Sequence, residues 1–124
     1  MNKYKFNKDH QWILQEKNQI IKIGITNYAQ KNLGDIIYIQ IKESNIIYNQ
    51  HEIVGNIESV KNISDIYAPF KGKIINFNLL LNKKPELINL DPYKTGWLFE
   101  MIVEKNDINF DNFISYEEYK KIFN

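Results

Sequence analysis

Cysteine is absent from the 124 residues of this chain. Its absence excludes disulfide bonds, thiolate nucleophiles, and zinc or iron–sulfur sites built on cysteine. Arginine is absent as well, so all sixteen basic residues are lysine, and they alternate with fifteen acidic residues to give a net charge of +1. Proteins that bind nucleic acid normally carry a basic stripe. The charge pattern therefore predicts no nucleic-acid partner.

Long apolar runs are also missing, and none reaches the roughly 18 residues that a membrane-spanning helix requires. The N-terminal stretch "MNKYKFNKDHQW" has neither an apolar segment nor an arginine-rich face, which are the marks of targeting peptides. The sequence therefore predicts no membrane segment and no targeting segment. We expect a bacterial cytoplasmic protein, or a mitochondrial-matrix protein if the chain is a mature form.

Glycine and proline are scarce, with five and three residues, whereas apolar residues make up 44% of the chain. This composition is typical of a globular protein and not of a disordered one. A chain of this length buries one substantial core but is too short for two ordinary domains. We therefore expect residues 1–124 to form a single domain.

Five short segments are rich in isoleucine, valine and aromatic residues, with partial alternation of apolar and polar side chains. This pattern is typical of β-strands, and turn-forming residues separate the segments. Short strands at this spacing predict a mostly β protein, either a sandwich or a barrel. The predicted strands are 19–25, 35–41, 52–60, 73–79 and 96–103.

Two helices are predicted from capping signals. In "TNYAQKNLG", Asn27 and Gln30 have the spacing of a capping box, and Gly34 stands where a helix would end. In "ISYEEYKKIF", Ser115 and Glu118 have the same spacing near the C-terminus. The second helix would carry an aromatic stripe that packs on the sheet, formed by Tyr116, Tyr119 and Phe123.

A weak internal repeat brackets one lysine. The segment "GDIIYI" at 34–39 recurs as "GKIINF" at 72–77, which suggests two equivalent halves that share one core. Between them lies "SVKNISD", a short polar break. If the strands on either side pair as a hairpin, Lys61 stands at its tip. Such a lysine is either an ordinary solvated surface residue or an accessible target for a modifying enzyme.

Catalytic patterns are lacking in the sequence. His10 and His51 show no metal-ligand spacing, and the glycines form no phosphate-binding loop. Ser59 has no histidine nearby in sequence, and strand alternation places it on the opposite face from Glu58. We therefore expect no catalytic residue and no metal site. A plain β-rich interaction module with an unmodified Lys61 is one interpretation that remains.

The chain resembles the H protein of the glycine cleavage system, and the resemblance extends in order over nearly all of it. It implies a barrel-sandwich hybrid fold of the lipoyl- and biotinyl-carrier type, with a short helix in the N-terminal half and a C-terminal helix. The motifs that carry it are "HQW", "IGITNYAQKNLGDIIYI", "ESVK", "SDIYAPFKGKI", "PELINLDPYKTGWLF" and "EEY".

The resemblance implies a carrier and not an enzyme. Lipoate joined to Lys61 would carry the methylamine group of glycine from a pyridoxal-phosphate glycine decarboxylase to a tetrahydrofolate-dependent aminomethyltransferase. A dihydrolipoyl dehydrogenase would reoxidise the arm, and a lipoate-attaching enzyme would install it on a monomeric protein. Biotin carriers instead set their lysine between two methionines, whereas Val60 and Asn62 flank this one. An H-like protein that relays lipoyl groups to other complexes is the alternative within this fold.

The resemblance also implies roles for four other residues. Glu58 would help the lipoate-attaching enzyme to recognise the hairpin, and Asp9, Gln11 and Asp65 would lie where the loaded arm docks. Gln11 stands where the family usually has glutamate, and an amide cannot form a carboxylate's charge-assisted hydrogen bond. We therefore expect weaker docking here. Two further departures are Asn27, where the family usually has aspartate, and Asn62, where it has alanine.

Overall fold

The structure is a computed structural model and describes residues 1–123. All five predicted strands are confirmed, with slightly different ends, and five further short strands accompany them. The strands are β1 Tyr4–Phe6, β2 Gln11–Lys17, β3 Ile20–Ile25, β4 Ile36–Ile41, β5 Ile47–Tyr48, β6 Ile53–Ser59, β7 Ile63–Tyr67, β8 Gly72–Phe77, β9 Phe99–Ile102 and β10 Ile114–Ser115.

The strands form two sheets around one main core. The larger sheet has the order β10-β1-β2-β3-β9-β8-β5, and the smaller has the order β4-β6-β7, with every pairing antiparallel. Alternate side chains of both sheets meet in a single buried cluster, which includes Ile23 of β3, Ile57 of β6 and Ile74 of β8. The mostly β prediction is confirmed, and the two copies of the internal repeat, β4 and β8, lie in different sheets.

The N-cap of the first helix, α1 (Asn27–Leu33), lies one residue before the predicted cap. Thr26 is the N-cap, because its extended backbone lets Oγ1 accept a hydrogen bond from Ala29 N at 3.2 Å. The prediction that Asn27 caps the helix is wrong, since its side chain lies inside the first turn and accepts from Gln30 Nε2 at 2.8 Å. Gly34 ends the helix as predicted, with a φ of 83° that favours glycine.

The other α-helices are α2 (Leu87–Leu90) and α3 (Tyr116–Ile122), and two short 3₁₀ helices span Leu79–Asn82 and Lys105–Asp107. The capping box of α3 is confirmed, with Ser115 and Glu118 each bonded to the other's backbone N–H. The predicted aromatic stripe also packs on the sheet: the ring of Tyr119 stacks on Phe6 of β1 with centroids 4.8 Å apart. No helix within residues 1–123 is long and apolar enough to cross a membrane.

The Tyr119 hydroxyl joins α3 to two other parts of the chain. It lies 2.6 Å from His10 Nδ1, in the turn between β1 and β2, and 2.8 Å from Thr26 Oγ1 at the start of α1. Burial raises the pKa of Tyr119 to about 12, so the hydroxyl stays protonated and available as a donor. The C-terminal helix is therefore fastened by hydrogen bonds as well as by aromatic packing.

We predict that Tyr119→Phe lowers the free energy of unfolding by about 1–3 kcal/mol, because it leaves His10 Nδ1 without this partner. Tyr116→Phe is the matched control, since the Tyr116 hydroxyl forms no hydrogen bond with any described residue and should change stability little. Urea denaturation of both variants measures the difference. Equal stabilities would contradict the bridging role of Tyr119.

Candidate functional site

The strands on either side of Lys61 pair as an antiparallel hairpin. Glu58 of β6 is opposite Ile63 of β7, and Ile57 is opposite Ser64, so a loop of residues 60–62 joins the strands. Lys61 occupies the middle of that loop and is exposed to solvent. The hairpin inferred from the sequence is therefore present, with the lysine at its tip.

Ser59 closes this loop from inside. Its Oγ accepts hydrogen bonds from the backbone N–H groups of Asn62 at 3.1 Å and Lys61 at 3.4 Å, and it donates to the Asn62 carbonyl at 3.2 Å. A backbone bond of 2.8 Å from Ser59 N to the Asn62 carbonyl completes the closure. Because Ser59 is only 5% exposed, water competes little for these bonds. The backbone that carries the lysine is consequently held in one conformation.

The turn between α1 and β4 supports the same loop from outside. The Asp35 carbonyl accepts a hydrogen bond from Val60 N at 3.0 Å, and Asn89 Nδ2 donates to the Gly34 carbonyl at 2.9 Å. The aliphatic part of Lys61 passes close to Gly34: a Cβ added there would lie 3.1 Å from Lys61 Cε. Glycine thus leaves the space that the lysine stem uses.

A cleft of about 270 Å³ begins beside the hairpin tip and follows β7, which is an edge strand of the smaller sheet. The β1–β2 turn, the start of β2 and α1 form its other side. Its lining is partly apolar and partly acidic. The lining residues used below are Ala29, Leu33, Asp9, Gln11 and Asp65.

The three residues expected to dock a loaded arm all line this cleft, although they are distant in sequence. Asp65 lies on β7, and Asp9 and Gln11 come from the opposite side. Gln11 is only 2% exposed and already makes two side-chain hydrogen bonds: Nε2 donates to the Tyr67 carbonyl at 2.8 Å, and Oε1 accepts from Asn7 Nδ2 at 2.8 Å. One N–H and one lone pair of its amide therefore have no hydrogen-bond partner among the described residues.

Glu58 lies on the outer face of the smaller sheet, as its register with exposed neighbours shows. Tyr38 of β4 is opposite Glu58, which is in turn opposite Ile63 of β7. The two ion pairs among residues 1–123 are Lys22–Glu16 at 3.4 Å and Lys120–Glu117 at 3.5 Å. The Glu58 carboxylate and the Lys61 ammonium are therefore not engaged with each other.

The structure adds positioning roles that the sequence analysis missed. The sequence raises Ser59 only as a nucleophile, whereas in the structure its hydroxyl closes the loop of residues 60–62. It raises His10 for metal binding and Gln11 for docking, whereas both also fasten the β1–β2 region to other segments. A serine at the last strand position before a short loop was the one available signal, since such hydroxyls often bond nearby backbone groups.

Comparisons with known proteins find similar chains and a similar fold. The family described as Glycine cleavage H-protein matches residues 4–124. A glycine cleavage system H protein of Thermus thermophilus is 46% identical over 96 residues, which cover 77% of this chain and 74% of that one. One from Staphylococcus epidermidis is 35% identical over 121 residues, covering 98% and 94%. A crystal structure of such a protein from Mycobacterium marinum superposes with a TM-score of 0.86 at 28% identity, covering 98% and 97%.

We predict that Ser59→Ala lowers the free energy of unfolding by about 1 kcal/mol and speeds hydrogen exchange of the Lys61 and Asn62 amides roughly fivefold, because both lose their internal acceptor. Ser64→Ala is the matched control on the same hairpin, since no side-chain hydrogen bond of Ser64 occurs in the described chain. Exchange measured by NMR distinguishes the two. Unchanged exchange in Ser59→Ala would show that the hydroxyl does not hold the loop.

We predict that Gln11→Glu lowers the free energy of unfolding by about 1–3 kcal/mol at neutral pH, because a carboxylate would face the Tyr67 carbonyl without a proton to donate. A carboxyl in this position has a folded-state pKa raised above its unfolded value of about 4.3. Protonation of this carboxyl therefore stabilises the folded variant at low pH, and the stabilisation is lost as the pH rises. The difference in the free energy of unfolding between the variant and the unsubstituted protein should consequently be smaller in acid.

Gln15→Glu is the control for this substitution, since the Gln15 amide also donates to a backbone carbonyl, that of Asn18, but is exposed. Water solvates a carboxylate there, and the expected loss is smaller. Urea denaturation of both variants at several pH values tests the prediction. A Gln11→Glu protein as stable as the original at neutral pH would refute it.

Proposed function

The chain belongs to the glycine cleavage H-protein family, whose members are non-catalytic carriers, and from this we propose that lipoate is attached to Lys61 as an N6-lipoyl amide. The observation that supports the proposal is the position of Lys61 at the tip of a hairpin whose loop is closed by Ser59. An exposed amine on a fixed backbone is what an acylating enzyme requires. The space left by Gly34 and the cleft along β7 fit a long acyl chain that starts at this lysine.

Acylation makes a new bond at the lysine nitrogen. The attaching enzyme first removes a proton from the ammonium, and the free amine then attacks the carbonyl carbon of an activated lipoyl group. The bond from that carbon to its activating group breaks, the leaving group keeps the electron pair, and a second proton leaves the nitrogen as the amide forms. Lys61 thereby loses its charge, so its extended side chain no longer resists contact with apolar surface.

The apolar part of the cleft offers a surface on which such a chain can pack. Ala29 and Leu33 of α1 line it and are only partly buried, and each methylene buried against them contributes about 0.8 kcal/mol. Ordering flexible side chains costs a comparable amount, about 0.5–1.5 kcal/mol each. We therefore expect the free energy of docking of an uncharged arm to be near zero, so that the undocked arm is available to bind partner enzymes.

The acidic part of the cleft would favour the docked state when the arm carries a cationic group. Asp9 and Asp65 present carboxylates, and a charge-assisted hydrogen bond to an amine is worth about 1.5–3 kcal/mol. The Gln11 amide adds one free N–H and one lone pair, which is less than a carboxylate would add. We propose that Asp9 and Asp65 hold the amine and that Gln11 contributes weakly.

When attached, the lipoyl group would supply dithiol chemistry for carrying the methylamine group of glycine from the glycine decarboxylase to the aminomethyltransferase, and dihydrolipoyl dehydrogenase would reoxidise it. This chain contributes the attachment point and the sheltering cleft. We propose that Glu58, on the outer face next to the hairpin tip, is recognised by the lipoate-attaching enzyme. The bacterial origin of the relatives above supports a bacterial cytoplasmic location, and a monomer is sufficient for these roles.

We predict that incubation with a lipoate ligase, lipoate and ATP adds one lipoyl group to the protein and that Lys61→Arg abolishes the addition, because arginine offers no acylable amine. Lys31→Arg, at an exposed lysine of α1, is the control and should be modified normally. Intact-mass spectrometry followed by peptide mapping measures the outcome. An unmodified protein, or modification at another lysine, would refute the proposal and favour a plain interaction module.

A further inference from the structure

A β-bulge interrupts β4 directly beside the lysine hairpin. Ile36 pairs with Ser59, but Tyr38 pairs with Glu58, so β4 contains one more residue than β6 over this stretch. In a regular strand, consecutive side chains point to opposite faces, and Ile37 or Tyr38 would be turned inward. The bulge removes that alternation, and bulges commonly redirect side chains next to functional sites.

The consequence is an exposed pair of large apolar residues between two buried ones. Ile36 and Ile39 are 3% and 4% exposed, whereas Ile37 and Tyr38 are 50% and 52% exposed. Nothing in the core requires this arrangement, because Ile36 and Ile39 already fill the inner face. Apolar side chains placed together in solvent at a defined site are a mark of interaction surfaces.

The same end of the sheet exposes two more apolar residues around Lys61. Val60 precedes the lysine and is 66% exposed, and Ile63 starts β7 and is 64% exposed. Cross-strand register places Ile63 in one row with Glu58 and Tyr38. We call the residues Ile37, Tyr38, Val60 and Ile63 the apolar collar.

Acidic residues accompany the collar. Glu58 lies between Tyr38 and Ile63, and the Asp35 backbone is bonded to Val60 N. Within residues 1–123, neither carboxylate forms an ion pair. A partner that covers the collar therefore needs an apolar contact surface with basic groups at its edge.

We propose that the apolar collar is the surface by which the lipoate-attaching enzyme binds this protein, with the Ile37–Tyr38 bulge as its main contact. The inference rests on the proposed modification of Lys61. That enzyme must bring an activated acyl carbon to within bonding distance of the lysine Nζ, so its contact area has to include the residues around the hairpin tip. Enzymes that act later in the cycle address the far end of the arm and need not approach the collar so closely.

The test compares acylation kinetics of matched variants. Ile37→Thr and Tyr38→Thr, singly and together, keep a residue suited to a strand while removing the apolar contact. Ile47→Thr is the control, because Ile47 is a 57% exposed isoleucine on β5, an edge strand of the larger sheet, whereas the hairpin belongs to the smaller sheet. The measured quantities are kcat and KM for the carrier protein, with a lipoate ligase, lipoate and ATP, and thermal unfolding verifies that each variant is folded.

The double variant should show a KM for the carrier protein at least fivefold higher than the original, as expected for the loss of one strong contact. Its kcat should be unchanged, because Lys61 and its loop are intact. Ile47→Thr should match the original protein. Unaltered kinetic constants in the double variant, or an equal rise in the control, would overturn the inference while leaving Lys61 modification standing. A defect only in later steps with the decarboxylase would also overturn it, and failure to acylate the original protein would overturn both proposals.

Discussion

The hydrogen bonds that close the loop of residues 60–62 are the constraint on which the rest of this site depends. A lysine side chain has four flexible bonds, so its amine has a defined position only if its backbone is fixed. Ser59 fixes the loop from within, and the Asp35 carbonyl fixes it from the neighbouring turn. Gly34 then leaves room for the stem of Lys61. With the backbone held, both the cleft along β7 and the apolar collar keep constant positions relative to the Cα of Lys61, from which the amine extends.

The tripeptide His10–Gln11–Trp12 shows how a small fold assembles such a site from distant segments. His10 is bonded to the C-terminal helix through Tyr119, and the Gln11 amide is bonded to the end of β7. Trp12 Nε1 donates at 2.8 Å to the Pro92 carbonyl, in the loop before β9. Three consecutive residues therefore join β2 to three other parts of the chain. This network places the turn that carries Asp9 across the cleft from Asp65.

Much of the architecture follows from local sequence. Runs such as "QIIKIGI" have few alternatives to a buried strand, and Ser115 with Glu118 defines the start of α3. The N-cap of α1 was misassigned because Thr26 and Asn27 are both good caps, and only the buried position of Thr26 decides between them. The bulge at Ile37 and the cleft were not predictable, because they depend on cross-strand register and on contacts between residues more than 50 positions apart. The position of Lys61 at a hairpin tip was predictable because the hairpin is local in sequence, whereas its role as an attachment site was inferred from the family resemblance.

The most direct test of this account is ¹⁵N relaxation of the unmodified protein, which reports backbone motion at the hairpin tip itself. If the loop is closed as described, the order parameters of Val60, Lys61 and Asn62 should be close to those of β6 and β7, at about 0.85. Values below about 0.6 at these three residues would describe a mobile loop. Such values would contradict the claim that the fold holds the backbone of Lys61 at a fixed position.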